Sequence, residues 1–343
     1  MSNSGEKHLK AITCKNYGSP DVFQLEEIGQ PVPKDKEVLI QIYNTAVNSA
    51  DWRLRKPDPV AARLFFGLFR PRNPVLGGVF SGKVISVGTK VKEFQVGDRV
   101  FGSTGMSFGA YAEYKCLNES EVFSQIPTDI SYEDAAAIPF GALTAFHFLK
   151  QIRIEAGQNV LVYGASGAVG TAAIQIAAAF GAKVTAVCSK ANHELVKSIG
   201  AESALDYEEY NNGKTKVIYD LIFETVGKSK LKTHLSMLTT KGTLILGSGS
   251  LSEILQALWL NLTGKHKILG GIVFESKENL RILSEMMQSG KLKAVIDRTY
   301  LLEDMADAHR YVEAGHKKGN VVIEVFRKKN GAGSSLDLMY GTW

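Results

Sequence analysis

Between residues 159 and 249 short β-branched runs alternate with alanine-rich or amphipathic stretches, and this alternation constrains the fold more than any other feature. NVLVY (159–163), KVTAVC (183–188), DLIFETVG (220–227) and GTLILGSG (242–249) read as strands. AVGTAAIQIAAAF (168–180), ANHELVKSIG (191–200) and KLKTHLSML (230–238) read as helices. Strands spaced by helical segments build βαβ units and a parallel sheet, so the chain is α/β.

The first strand of the series runs directly into glycines, LVYGASGAVG (161–170), and then into an alanine-rich helix. A strand, a small-residue loop and a helix N-terminus form the arrangement on which a dinucleotide pyrophosphate rests, because the helix dipole and its free N–H groups favour an anion. Ala165, Gly167 and Gly170 hold the three fingerprint positions, with Ala replacing the first glycine and Gly164 preceding it. The other reading is a merely tight strand-to-helix turn; the agreement of strand, loop and helix favours the dinucleotide. At the end of the next strand, nineteen residues after Gly170, stands Ser189, followed by Lys190, where NAD enzymes carry a carboxylate for the ribose hydroxyls. A hydroxyl and a cation there suit a 2′-phosphate and predict NADP, the alternative being an ordinary surface lysine.

Upstream, EVLIQIY (37–43), GKVISVG (82–88) and GDRVFG (97–102) are β-rich runs broken by Gly and Asp, and predict a mostly antiparallel β region over residues 9–125. EDAAAIPFGALTAFHFLKQ (133–151) reads as a helical stretch with Pro139 and Gly141 in its middle. After a further strand, KILGGIVF (267–274), and the helix SKENLRILSEMMQSG (276–290), the parallel pattern ends; IDRTYLLEDMADAHRYVEAG and GNVVIEV follow. The last seventeen residues are Gly/Ser-rich and read as a loosely attached tail. At 343 residues the chain exceeds what one core usually holds, so two domains are expected.

A net charge of +5 is spread over short runs such as RLRK (53–56), RPR (70–72) and HKK (316–318), most of them read as solvated surface, the alternative being that the modest excess serves a small polyanionic ligand; the concentrated basic face of a nucleic-acid binder is not seen. Three cysteines, Cys14, Cys116 and Cys188, form no CxxC pair and make neither a disulfide framework nor a cysteine-rich zinc site. No run of eighteen apolar residues and no leader pattern occurs, so a cytoplasmic protein without a membrane span is expected.

VNSADWRLR, PVLGGVFSGKVISVGTKVKEFQVGDRVFG, GAYAEY, IPFGALTAFHFL, GASGAVG and GHKKGNVVIEV occur in this order. Together they resemble the medium-chain dehydrogenase/reductase superfamily, in its zinc-free quinone oxidoreductase-like branch, over residues 9–326. The resemblance implies a GroES-like β domain from both chain ends (1–134 and 275–326), an inserted Rossmann domain (135–274) and a tail (327–343). It implies a homodimer joined at the nucleotide domains, for which SEILQALWLNL (252–262) and KILGGIVF are the candidate surfaces; the other reading makes them ordinary core. It places Ser166, Gly167, Ala168 and Val169 on the pyrophosphate and Ser189, Lys190 and Tyr207 around the 2′-phosphate. Val226, Gly247, Ser248, Ile272, Val273 and Asn320 would edge the adenosine or nicotinamide halves, and Asn48 and Thr144 would face the nicotinamide. Taken alone, Thr144 could instead bond its own helix backbone, and Tyr207 is equally a surface residue.

Gly78 and Val79 stand where the zinc branch has His and Glu, and neither can hold a metal. Zinc-free relatives usually carry Asp at the Val79 position, so the pocket floor departs from its own branch. Without a metal, a quinone or an α,β-enone is the easier acceptor, since hydride adds at a conjugated carbon and charge spreads to oxygen. Asn48 and backbone donors would stabilise that oxygen, with Asp51 or water relaying the proton. Bacterial quinone reductases often have Tyr two positions after this Asp; here Arg53 stands there. The segment RKPDPVAARLFFGLFRPRNP (55–74) carries Phe65, Phe66 and Phe69, either as core or as an apolar lid over an aromatic substrate. Metal-free reduction of a saturated carbonyl, or NADPH binding without turnover, are the competing functions.

Overall fold

The alternating segment forms a six-stranded, wholly parallel sheet in the order Ser203–Leu205, Lys183–Val187, Asn159–Tyr163, Tyr219–Glu224, Leu238–Leu246, Lys267–Gly270. A computed structural model describes residues 7–58, 60, 63–213, 217–227, 229–248, 260–261 and 266–327, apart from the Phe65 side chain. The strand that comes first in sequence lies centrally, and the chain winds outward to one side and then the other. The winding therefore reverses between Asn159–Tyr163 and Tyr219–Glu224, where open α/β sheets bind ligands. Val160, Leu161 and Val162 are wholly buried. That explains why this strand is continuously apolar rather than alternating, and each such side chain contributes roughly 1.5–3 kcal/mol by leaving water.

Three local features differ from the sequence reading. Ser203–Leu205 is a strand of three residues, too short to leave a periodic signal. The stretch 133–151 is two helices, Tyr132–Ala137 and Pro139–Leu149. Pro139 has no N–H to continue the first and so opens the second. Gly141 lets that second helix approach closely, since a Cβ there would lie 2.3 Å from the Ala168 carbonyl oxygen. KILGGIVF is a strand only to Gly270, because Gly271 adopts φ +123 and turns the chain away, leaving Ile272 78% and Phe274 72% exposed.

The second sheet has seven strands, and the two chain ends share it. Its path is Ile296–Leu301, Asn320–Glu324, Glu37–Val47, Val79–Val87, Arg99–Ser103, Phe123–Gln125, and Tyr114–Asn118 also pairs with Glu37–Val47. All pairs are antiparallel except Ile296–Leu301 with Asn320–Glu324, so one parallel pair follows the point where the sequence pattern had ended. A ribbon of His8–Cys14 and Phe23–Gly29 adds to this half. The result is a GroES-like β sheet beside a Rossmann sheet. The two halves meet at the glycine loop, where the Gly319 N–H donates to the Ser166 carbonyl at 2.7 Å and Gly167 bridges to Gly319.

Candidate active site

Three glycines of the loop 164–170 meet three different needs. Gly164 adopts φ +78 to turn the chain out of the strand, and a Cβ there would lie 2.1 Å from Val226. Gly170 packs the helix Ala168–Ala179 onto that turn; its Cβ would lie 2.4 Å from the Gly164 carbonyl oxygen. Gly167, the N-cap, is open: a Cβ would meet nothing nearer than the Gly164 oxygen at 3.6 Å. Ala165 is wholly buried and fills the turn. The first-turn N–H groups of Ala168, Val169 and Gly170 thus face a clear approach, as an anion at a helix N-terminus requires.

Ser166, Ser189, Tyr207 and Val226 line one cavity of about 280 Å³, so four residues expected at the cofactor come together. The Tyr207 ring stands edge-on to Tyr163 at 5.1 Å. The Val226 N–H donates to the buried Glu224 carboxylate at 3.0 Å, which fixes the turn beyond the fourth strand. Lys190 is exposed immediately after Ser189. Gly247 and Ser248 follow the strand Leu238–Leu246, with the Gly247 N–H on the Glu224 carbonyl at 2.8 Å. Asn320 is buried; its Nδ2 donates to the Val295 carbonyl at 3.2 Å and its Oδ1 has no partner. Val273 packs on the core while Ile272 is exposed.

Two of the cavity's polar groups were missed from sequence. Asn192 is buried, donates to the Ser166 hydroxyl at 3.1 Å and keeps an unpartnered Oδ1. Lys317, with His316, also lines the cavity. HKK (316–318) therefore does not read as surface throughout: Lys317 is half-buried, and loss of hydration lowers its pKa to about 8. An open helix N-terminus, a cation and the buried Asn192 oxygen awaiting a donor fit a ligand that brings phosphates and hydroxyls together, as a nicotinamide dinucleotide does.

The other part of the site lies at the helix Ser49–Arg55. Asn48 is its N-cap residue and 1% exposed, its side chain turned to the Asp51 N–H in a capping-box arrangement but without a close hydrogen bond. The buried Asp51 carboxylate accepts the Asn48 N–H at 2.7 Å and also the Gly78 N–H, so Asn48 and Gly78 are neighbours across it. At Gly78 a Cβ would meet nothing within 4 Å, which leaves open space at this position. Burial pushes the Asp51 carboxyl up to about 7, against the Asn48 and Gly78 N–H groups and the Tyr111 hydroxyl, which hold it down. Tyr111 in turn lies 3.1 Å from His309 Nε2, and burial, then the Arg55 charge, keep His309 well below its usual pKa and neutral.

Neither Tyr111 nor His309 was assigned from sequence. His309 shares the buried face of the helix Met305–Glu313 with Met305, Ala308 and Val312, a spacing that could have marked it as interior. Thr144 Oγ1 donates to the Phe140 carbonyl at 2.8 Å, the local role open to it, and is only half-buried. Among the described residues, no three His, Cys, Asp or Glu side chains converge as a metal site.

Residues 34–128 match the alcohol dehydrogenase GroES-like domain and residues 199–323 match the zinc-binding dehydrogenase family. The quinone oxidoreductase of Homo sapiens is 32% identical over 91% of this chain and 96% of its own length. The chain belongs to the medium-chain dehydrogenase/reductase superfamily. The 2-methylene-furan-3-one reductase of Solanum lycopersicum is 31% identical over 92% of this oxidoreductase and 79% of its own length. For the chloroplastic NADPH-dependent alkenal/one oxidoreductase of Arabidopsis thaliana the figures are 30%, 92% and 80%. Among solved structures, the quinone oxidoreductase from Coxiella burnetii superposes with a TM-score of 0.84 at 28% identity, covering 93% of this chain and all of that one. A mycobacterial relative complexed with NADPH gives 0.79 at 27%, covering 92% and 100%. These names place the chain in the quinone oxidoreductase-like branch of the superfamily.

Proposed function

We propose that this oxidoreductase uses NADPH to reduce a quinone or an α,β-unsaturated carbonyl without a metal. The observation that carries the reading is the open space at Gly78, where the zinc branch has a ligand, next to the buried Asp51 that joins Gly78 to the buried Asn48. When bound, the cofactor supplies the hydride. Ser166, Gly167, Ala168 and Val169 hold the pyrophosphate, while Ser189, Lys190, Asn192, Tyr207 and Lys317 take the 2′-phosphate end, and Val226, Gly247, Ser248, Val273 and Asn320 edge the rest. The similarity to proteins named as NADPH-dependent or complexed with NADPH supports this choice.

At the reaction end, the Asn48 amide turns a donor toward the oxygen on which charge accumulates; such a fixed donor costs no reorganisation. Asp51, poised near pH 7, holds or releases the proton that the oxygen requires, and Tyr111 and His309 keep the carboxyl oriented. Thr144 faces the nicotinamide, its Oγ1 held on the Phe140 carbonyl. Residues 135–274 form the nucleotide domain, 1–134 with 275–326 the catalytic domain, and a homodimer covers the outer edge at Lys267–Phe274, where Ile272 and Phe274 are exposed. A cytoplasmic location accords with three free cysteines. No described helix is long and apolar enough to cross a membrane.

Steady-state NADPH oxidation against quinones, enones and saturated ketones, before and after chelation, tests the reading. Turnover with a quinone or enone that survives chelation is expected. Turnover with saturated carbonyls alone, loss on chelation, or tight NADPH binding with no turnover would each overturn it.

A further inference from the structure

A second cavity, of about 260 Å³, opens beside the reaction end. It shares walls with the elements that carry Asn48 and Gly78: Leu54 lies one turn beyond Asp51 on the helix Ser49–Arg55, and Leu76 lies two residues before Gly78. Tyr17, Phe66 and Phe108 supply aromatic faces, with the Phe66 and Phe108 rings edge-on at 5.9 Å. Arg72 is the cation in its wall. Arg63 is not among the lining residues; its guanidinium lies 5.2 Å from the centroid of the lining Tyr17 ring and its Nε is buried without a partner. No ion pair among the described residues includes either arginine.

This cavity is held in shape by specific contacts. The Arg72 N–H donates to the Phe66 carbonyl at 2.8 Å and the Tyr17 hydroxyl to the Gly67 carbonyl at 2.7 Å, closing residues 66–72 into a tight loop. Across from it, Phe108 adopts φ +46, the one positive φ among described non-glycine residues, and Asn73 Nδ2 holds the preceding carbonyl of Ser107. Backbone strain at a bulky residue persists only where the surroundings impose it, and it concentrates at ligand sites. Phe66 thus forms a wall of a pocket, Phe69 is 86% exposed and belongs to no core, and the Phe65 side chain lies outside the described residues.

We infer that this cavity binds a planar apolar group bearing a carboxylate, with the ring packed against Tyr17, Phe66 and Phe108 and the anion on Arg72 with Arg63 nearby, and so selects conjugated carbonyl substrates that carry a distal acid. The inference rests on the reduction proposed above for the neighbouring site. The exposed Arg72 in the wall and Arg63 at the Tyr17 ring, neither of them ion-paired among the described residues, favour such a ligand over its neutral isostere, because planar forks meet carboxylates in two parallel hydrogen bonds.

The test is equilibrium binding of 2-naphthoate and its neutral isostere 2-naphthamide by calorimetry. The native protein should bind the acid about tenfold more tightly than the amide. Raising KCl from roughly 0.05 to 0.5 M should erode the acid's advantage and leave the amide unchanged. Arg63→Gln and Arg72→Gln should each reduce the ratio, and together bring it to about one. Equal binding of acid and amide by the native protein overturns the inference without any variant having to fold, as does a ratio that survives the double substitution. Because binding is read without turnover, naphthoate selectivity in a protein that oxidises no NADPH would sink the proposed reaction and keep the pocket.

Discussion

The nucleotide end is a cavity where the two halves meet, the reaction end a buried polar cluster within the β half, and they are made of different material. The first is mostly backbone: Gly164, Gly167 and Gly170 shape a turn and a helix end, and one contiguous segment carries all three. The second is side chains: Asn48, Asp51, Tyr111 and His309 come from three separated stretches and share one buried chain of polar contacts. A backbone site tolerates no added atom, whereas a side-chain site tolerates no lost one.

Substitutions should break the two ends in opposite ways. The largest effect is expected for Gly170→Val, which drives atoms into the Gly164 carbonyl and should cost about 2–4 kcal/mol in urea unfolding. Gly167→Ala, with open space at its Cβ, should keep the melting temperature and weaken NADPH binding. A destabilised Gly167→Ala beside a stable Gly170→Val would contradict this division of roles. At the reaction end Asn48→Ala should lower kcat by roughly 10²–10³-fold with little change in cofactor affinity. Retained kcat with lost NADPH binding would move Asn48 to the other end of the comparison.

Asp51 sharpens the contrast through pH. Its folded pKa of about 7 lies above the ordinary carboxylate value, so the native state holds this proton more tightly than the unfolded chain does. The stability it contributes is fully present below about pH 4 and is lost as pH rises toward 7. His309, buried neutral, works in the opposite direction, contributing stability that falls away below its usual pKa, and it remains in the Asp51→Asn variant. Relative to that variant, the native protein should therefore lose on the order of 2 kcal/mol between pH 5 and pH 8. A constant gap across that range would show that Asp51 is ionised throughout.

The smallest effects belong to the phosphate cations. Lys317→Ala should weaken NADPH about tenfold and NADH little, since only NADPH offers the 2′-phosphate. Lys190→Ala, at an exposed position, should do so less. Equal loss of both cofactors in Lys317→Ala would place this cation on the pyrophosphate instead.

The same division governs what could be read before any coordinates. The parallel sheet was legible because its strands alternate with helices and carry continuous apolar runs, and the glycine loop because backbone needs leave glycines behind. Ser203–Leu205 was not, being three residues long, and Pro139 was noted without the break it causes. Lys317 read as surface because a basic triplet in a turn looks the same whether it faces solvent or another segment; it is placed by the Gly319–Ser166 contact between the two halves. Asn48 and Asp51 were reached through family resemblance, whereas Tyr111 and His309 join them only through three-dimensional packing. Of SEILQALWLNL, only Leu260 and Asn261 are among the described residues, and the tail from 328 onward also lies outside them.

Where the reducing equivalent lands tests the account most directly. With NADPH deuterated at C4 and an α,β-enone as acceptor, the product should be the saturated ketone carrying deuterium at its β carbon. Deuterium on the carbonyl carbon of an allylic alcohol would contradict conjugate reduction and, with it, the role given to Asn48.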